Sequence, residues 1–175
     1  MNSQKIYTKK GDKGETDVPG AGRVKKTFSL IHALGDIDEL NSFLGVTRSK
    51  LEAAGEKEDG DSDGEGEDLC FGIVVRVQRD LYRMSADLAK LKSKHGPISE
   101  EDVKFLEDSI DSMKIELRGF VPPGGKGELS AWLHVSRAVC RRAERSFIGA
   151  VGEKLPVDLQ YLNRLSDLLF AMAER

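Results

Sequence analysis

Arg137, Arg141 and Arg145 recur at every fourth position, so on a helix they form one slowly drifting stripe. Arg142 raises the segment to four arginines in nine residues, against one acid, Glu144. Guanidinium groups this close repel one another unless an anion, or acids from another element, neutralise them. Their planar forks match phosphate and carboxylate oxygens two at a time. The stripe therefore suits a polyphosphate, and its spacing fits a solvated helix face as well. A second candidate lies near the N-terminus, in Thr8-Lys9-Lys10-Gly11-Asp12-Lys13-Gly14-Glu15-Thr16. Glycines let a backbone turn its N–H groups toward an anion, lysines add charge, and threonine hydroxyls reach phosphate oxygens. No Walker A pattern occurs, nor a dinucleotide-type glycine motif after a strand, and the same composition fits a polar arm.

Other chemistry is harder to build from this sequence. Asp36, Asp38 and Glu39 open a helix, from which they can pair with the arginines within a subunit or across an interface. Asn163, Asp167 and Phe170 fall at i, i+4 and i+7, where an asparagine among leucines can bond a base or sugar. His32, His95 and His134 have no partner at metal-ligand spacing, and no Ser-His-Asp or Cys-His arrangement is legible. Asp59, Asp61, Asp63 and Gly64 imitate the start of a calcium loop, but the twelfth position is Cys70, where a bidentate Glu is needed. Chemistry that needs a protein nucleophile is not supported.

The elements that must position these residues are helices. Apolar residues step by three and four through Ile37–Leu51, Cys70–Leu91, Val103–Leu117, Leu129–Ala150 and Leu162–Met172. Ser99 with Asp102 makes a capping-box start for the third helix. Gly96-Pro97, Pro122-Pro123-Gly124-Gly125, Gly152 and Pro156 break the chain between helices. No strand-like alternation is sustained long enough for a sheet, and Tyr7–Lys26 reads as a loop. The expected fold is all-α: an antiparallel five-helix bundle preceded by a glycine-rich N-terminal loop. The expected organisation is a single domain over 1–175. Residues 1–29 form its phosphate-binding segment and 30–175 its bundle, with an acidic loop at 56–68.

A chain of 175 residues buries roughly 70% of its unfolded surface, enough for a real core. The net charge of -3 is uneven. Leu51–Asp68 holds nine acids and one base, so the remainder carries a net charge of +5, suited to an anionic ligand. Aromatics are 6% with no basic run among them, which argues against nucleic acid. No apolar run spans a membrane and no signal peptide is legible. Cys70 and Cys140 lack metal spacing, so a reduced, cytoplasmic protein is expected.

Together the motifs resemble the PduO-type ATP:cob(I)alamin adenosyltransferase family. The resemblance rests on Tyr7–Thr16, Gly22-Arg23-Val24-Lys25-Lys26 and Gly35–Ser42. It continues through Phe120–Gly125, His134–Arg145 and Leu162–Phe170, in family order over nearly the whole chain. Two departures are local: Leu30-Ile31-His32-Ala33 before the first helix motif, and a Pro-Gly-Gly loop one residue longer. The resemblance implies transfer of the 5′-deoxyadenosyl group of ATP to Co(I) of a corrinoid, releasing triphosphate. Co(I) is itself the nucleophile, which accounts for the missing protein nucleophile. It implies that Thr8, Lys9, Lys10, Gly11, Asp12, Gly14 and Thr16 wrap the triphosphate and that Lys26 reaches a terminal phosphate. Arg141, Arg142, Glu144 and Arg145 would bind ATP from the fourth helix and Asn163 from the fifth. Arg137 would pair with Asp38 across the interface of a homotrimer. Phe120 would press on the lower face of the corrin, and with Arg141 and Lys26 it would carry the catalytic role. Mg²⁺ would arrive on ATP and no residue would ligate it directly. A cob(II)alamin reductase and an adenosylcobalamin-dependent enzyme are the implied protein partners.

Overall fold

A computed structural model describes residues 6–55, 67–91, 95–116, 122–152 and 154–175. The acidic stretch 56–66, together with Leu117 and Phe120, lies outside the described residues. Elements follow in the order β1 (Glu15–Val18), β2 (Gly22–Lys25), α1 (Ser29–Ala53), α2 (Glu67–Leu88), α3 (Glu100–Met113), α4 (Glu128–Val151) and α5 (Pro156–Glu174). The five helices answer to the five apolar seams. Leu40, Leu44, Leu81, Met84, Leu106, Phe147 and Leu165 meet in one core from which water is excluded. Each such side chain contributes roughly 1.5–3 kcal/mol by leaving water.

Cross-helix contacts give the directions. Lys50 near the end of α1 pairs with Glu128 at the start of α4, while Arg142 of α4 reaches Asp36 near the start of α1. These helices run antiparallel. So do α4 and α5, joined by the Cys140 thiol donating to the Leu162 carbonyl and by His134 facing Glu174. One end of the bundle therefore gathers the starts of α1 and α5 with the ends of α2 and α4. The other end gathers the Pro122–Gly127 turn, the start of α4 and the end of α5.

Two expectations on boundaries need correction. The second helix stops at Leu88, short of Leu91, because Lys90 turns left-handed (φ 53) and the Leu91 N–H returns to the Ala86 carbonyl. The third stops at Met113, where Lys114 does the same (φ 48). The capping box forms as expected: Asp102 accepts from the Ser99 backbone N–H at 2.9 Å and from its hydroxyl at 3.0 Å.

The larger correction concerns Tyr7–Lys26, which is not a plain loop. It contains an antiparallel hairpin with Asp17 opposite Arg23 and Val18 opposite Gly22. Pro19 enters the turn, the Ala21 N–H closes it on the Val18 carbonyl, and Gly22 takes the left-handed conformation (φ 72). One face carries Glu15, Asp17, Arg23 and Lys25. The other carries Thr16, Val18 and Val24, of which Val18 is buried. Two four-residue strands with one charged face show too little apolar alternation to be read in advance. The hairpin tip docks on the end of α2. A Cβ added at Gly20 would lie 2.6 Å from the Ala89 carbonyl oxygen and 2.4 Å from the Lys90 Cβ.

Beneath α5 lies a buried polar cluster. Asp80 accepts from Arg83 at 2.8 Å and from the Tyr161 hydroxyl at 3.0 Å. Arg83 donates also to Asp102, at 2.9 Å, and to the carbonyls of Gly96 and Pro97. Burial alone would push the Asp102 carboxyl up. Arg83 and the Ser99 N–H and hydroxyl outweigh it and hold Asp102 at about 2. Asp158, on the first turn of α5, is bonded by no arginine or serine among the described residues. It is 3% exposed, its Oδ1 lacks a hydrogen bond, and burial with the nearby Asp87 raises it to about 6.

The folded chain thus holds the Asp158 proton more tightly than the unfolded chain does. Stability from this group is complete below about pH 3.8 and declines as pH rises through 6. Asp158→Asn should remove a decline of order 3 kcal/mol between pH 4 and 7, read from urea unfolding midpoints. Gly20→Ala should drive the hairpin tip off α2. Amide exchange of β1 and β2 should then quicken while the five helices keep their protection.

Candidate functional site

The predicted site residues fall into two groups on different elements. In the first, Thr8, Lys9, Lys10, Asp12 and Gly14 are exposed, whereas Gly11 and Thr16 are half-buried. The Gly14 N–H donates to the Gly11 carbonyl at 3.2 Å, and the Lys26 N–H donates to the Gly14 carbonyl at 2.8 Å. This folds the loop back on the hairpin base and lays the Lys26 side chain over Gly11. A Cβ at Gly11 would sit 3.1 Å from the Lys26 ammonium nitrogen, so glycine leaves room for that charge. Lys9 is left-handed (φ 60), and its ammonium lies 5.8 Å from the centre of the Tyr7 ring.

The second group spans α4 and α5. Arg141 and Arg145 face solvent and make no ion pair among the described residues; Arg145 donates only to the Arg141 carbonyl, at 3.0 Å. Glu144 accepts from the Asn163 amide at 3.2 Å, which brings these two predicted residues together across the helix pair. Arg142 points elsewhere. It donates to Asp36 at 3.2 Å and to Glu39, and Glu39 holds its charge up. Ser146 adds a hydroxyl bond to Asp36. Of Asp36, Asp38 and Glu39, two therefore pair with an arginine within the subunit.

Asp38, the third, is exposed and lines a groove of 480 Å³ between α1 and α2 with Asn41, Arg48, Arg79 and Tyr82. Arg137 is half-buried, and its Nε is buried with no hydrogen-bond partner among the described residues. The chain makes no ion pair between Arg137 and Asp38 among its described residues. Sequence reasoning missed the groove residues Arg48, Arg79 and Tyr82. They lie on the outer faces of two helices, where a cation or tyrosine looks like any solvated side chain.

The far end of the bundle carries a second groove, of 390 Å³, walled by Ile110, Ile115, Phe170 and Ala171, with Lys114 and Asp167 at its edge. Lys126, just before α4, is tied to Glu174 at the end of α5, and the buried His134 faces the same carboxylate at 3.3 Å. Among the described residues no three His, Cys, Asp or Glu side chains converge as a metal site, and no helix is long and apolar enough to cross a membrane.

Comparison with known proteins bears on the family and the fold. A family model described as cobalamin adenosyltransferase matches residues 6–175. A corrinoid adenosyltransferase of Bacillus subtilis (strain 168) is 37% identical over 97% of this chain and 84% of its own. One of Mycobacterium leprae (strain TN) is 36% identical over 97% of this chain and 89% of its own. Among solved structures, a variant PduO-type ATP:corrinoid adenosyltransferase from Lactobacillus reuteri, complexed with cobalamin and ATP, superposes with a TM-score of 0.77. It is 31% identical and covers 97% of this chain and 89% of its own. With its five-helix bundle, its glycine-lysine loop and its arginine-bearing α4, this chain belongs to the cobalamin adenosyltransferase family.

Proposed function

We infer that this protein transfers the 5′-deoxyadenosyl group of ATP to the Co(I) centre of a corrinoid, releasing triphosphate. The observation that carries the site is the pair Arg141 and Arg145, two cations with no acid matched to them among the described residues, beside the Glu144–Asn163 bond. Such a face holds the ATP anion while Asn163 and Glu144 offer polar contacts to its nucleoside. The N-terminal loop, with Thr8, Lys9, Lys10, Gly11, Asp12, Gly14 and Thr16, wraps the triphosphate, and Lys26 reaches its terminal phosphate. Arg142 supports ATP binding from its brace on Asp36 and Glu39.

The corrinoid is substrate, and its cobalt supplies the electron pair that attacks C5′. The bond from C5′ to the triphosphate oxygen breaks, and negative charge grows on the leaving group. Arg141, Arg145 and Lys26 stabilise that charge where it develops. Mg²⁺ would arrive on ATP, holding substrate phosphate oxygens and water, with threonine hydroxyls of the loop able to face its water shell. Its contribution there is to neutralise triphosphate oxygens.

Phe120 presses on the lower corrin face. The apolar groove walled by Ile110, Ile115 and Phe170 supports a corrin at that end of the bundle. The active unit is a homotrimer with ATP between subunits. Its support is the exposed Val135 and Ile148 on either side of Arg141, the Arg137 Nε that has no partner among the described residues, and the solvent-facing Asp38. Arg137 of one subunit then pairs with Asp38 of the next. The protein works in the cytoplasm beside a reductase that supplies Co(I) and an enzyme that uses adenosylcobalamin.

The test is anaerobic: purified protein, Mg-ATP and chemically reduced cob(I)alamin, followed by absorbance and triphosphate release. Adenosylcobalamin and triphosphate should appear in equal amounts. Arg141→Ala should lower turnover by about 10²–10³-fold with an unchanged unfolding midpoint. Near-normal turnover in that variant would reject the site.

A further inference from the structure

We propose that Arg23 is a positioning residue for ATP, fixing the Lys10–Gly11 peptide so that the phosphate loop presents its N–H groups to the triphosphate. This rests on the ATP-binding role proposed for the loop. Arg23 lies on β2, opposite Asp17 and diagonal to Glu15 on the charged face of the hairpin. Its Nε donates to Glu15 at 2.9 Å and its Nη1 to Asp17 at 3.4 Å. Its Nη2 donates to the Lys10 backbone carbonyl at 2.7 Å, thirteen residues away in sequence. Two carboxylates thus match the guanidinium charge, so Arg23 is not a free cation waiting for phosphate. What it adds is the bond to Lys10.

That bond has a directional consequence. Across a trans peptide the C=O and the following N–H point in opposite directions. Holding the Lys10 carbonyl toward Arg23 therefore turns the Gly11 N–H away from the strut, to the open side of the loop. The Lys26 side chain lies over the next residue: a Cβ on Gly11 would sit 3.1 Å from its ammonium. Arg23 lies on β2 and Lys26 just past its end, so the chain leaving the turn brings both side chains to the loop. The other end of the hairpin is pinned where Gly20 meets α2. The hairpin acts as an arm, anchored on the bundle at its tip and holding the phosphate loop at its base. A lysine at 23 keeps a charge for Glu15 and Asp17 but cannot bridge three acceptors with a planar fork.

Steady-state kinetics on Arg23→Ala and Arg23→Lys, with Mg-ATP and cob(I)alamin varied separately, tests this. Inorganic triphosphate serves as competitive inhibitor, and calorimetry measures its binding without turnover. Arg23→Ala should raise KM for ATP and weaken triphosphate binding by the same factor, about tenfold. Its kcat and its KM for the corrinoid should stay within about twofold, and Arg23→Lys should fall between Arg23→Ala and wild type. An unchanged KM for ATP in Arg23→Ala overturns the proposal. Wild-type behaviour in Arg23→Lys assigns the effect to charge alone and also overturns it. An equal rise in corrinoid KM does the same, by showing general loss of structure. Failure of the wild type to make product would instead reject the function. Triphosphate calorimetry on wild type and variants would still decide the role of Arg23.

Discussion

The bond from Tyr161 to Asp80 sets the register of the fifth helix, and much of the molecule depends on that register. Asp80 is 2% exposed and accepts from both Arg83 and Tyr161. A buried carboxylate is costly in its charged form unless it is paired, and here one guanidinium bridges Asp80 and Asp102 while also capping the Gly96-Pro97 turn. The cluster joins α2, the entry to α3 and α5 at a single point. Removing one member would strand a charge among leucines. Asn163 lies two residues beyond Tyr161, and the Leu162 carbonyl between them accepts the Cys140 thiol. The packing that satisfies Asp80 therefore also sets Asn163 against Glu144.

Charge is partitioned on the same principle. The arginines of α4 sort by the face on which the helix places them. Arg142 meets Asp36 and Glu39 and fastens α4 to α1. Arg141 and Arg145, one and two turns along the outer stripe, meet no acid among the described residues. A bundle held by its apolar core and by inward ion pairs can leave two cations unmatched. That imbalance suits an anionic ligand and a negatively charged leaving group.

The hairpin solves a different problem. A glycine-lysine loop has the chemistry to wrap phosphates but no internal means of holding one shape, since glycine gives up more backbone freedom on ordering than any other residue. Val18 buries against the body, Gly20 fits against α2, and Arg23 bonds back to Lys10. Order in the loop is thus borrowed from neighbouring elements.

By itself the sequence determined the five helices, the capping box at Ser99, and the residue types suited to a polyphosphate. Each depends on neighbours within about one turn, and apolar spacing or a cap signal records such neighbours directly. The motifs also placed the chain in its family, since they run in order along most of its length. Tertiary structure decided which arginine is spent on the fold and which is free, because that depends on acids more than a hundred residues away. It also decided that Tyr7–Lys26 holds a hairpin whose short strands are stabilised by docking, not by their own alternation. The helix ends at Lys90 and Lys114 were likewise settled there. A lysine in the left-handed conformation leaves no mark in a sequence, whereas the glycine that usually occupies that position does.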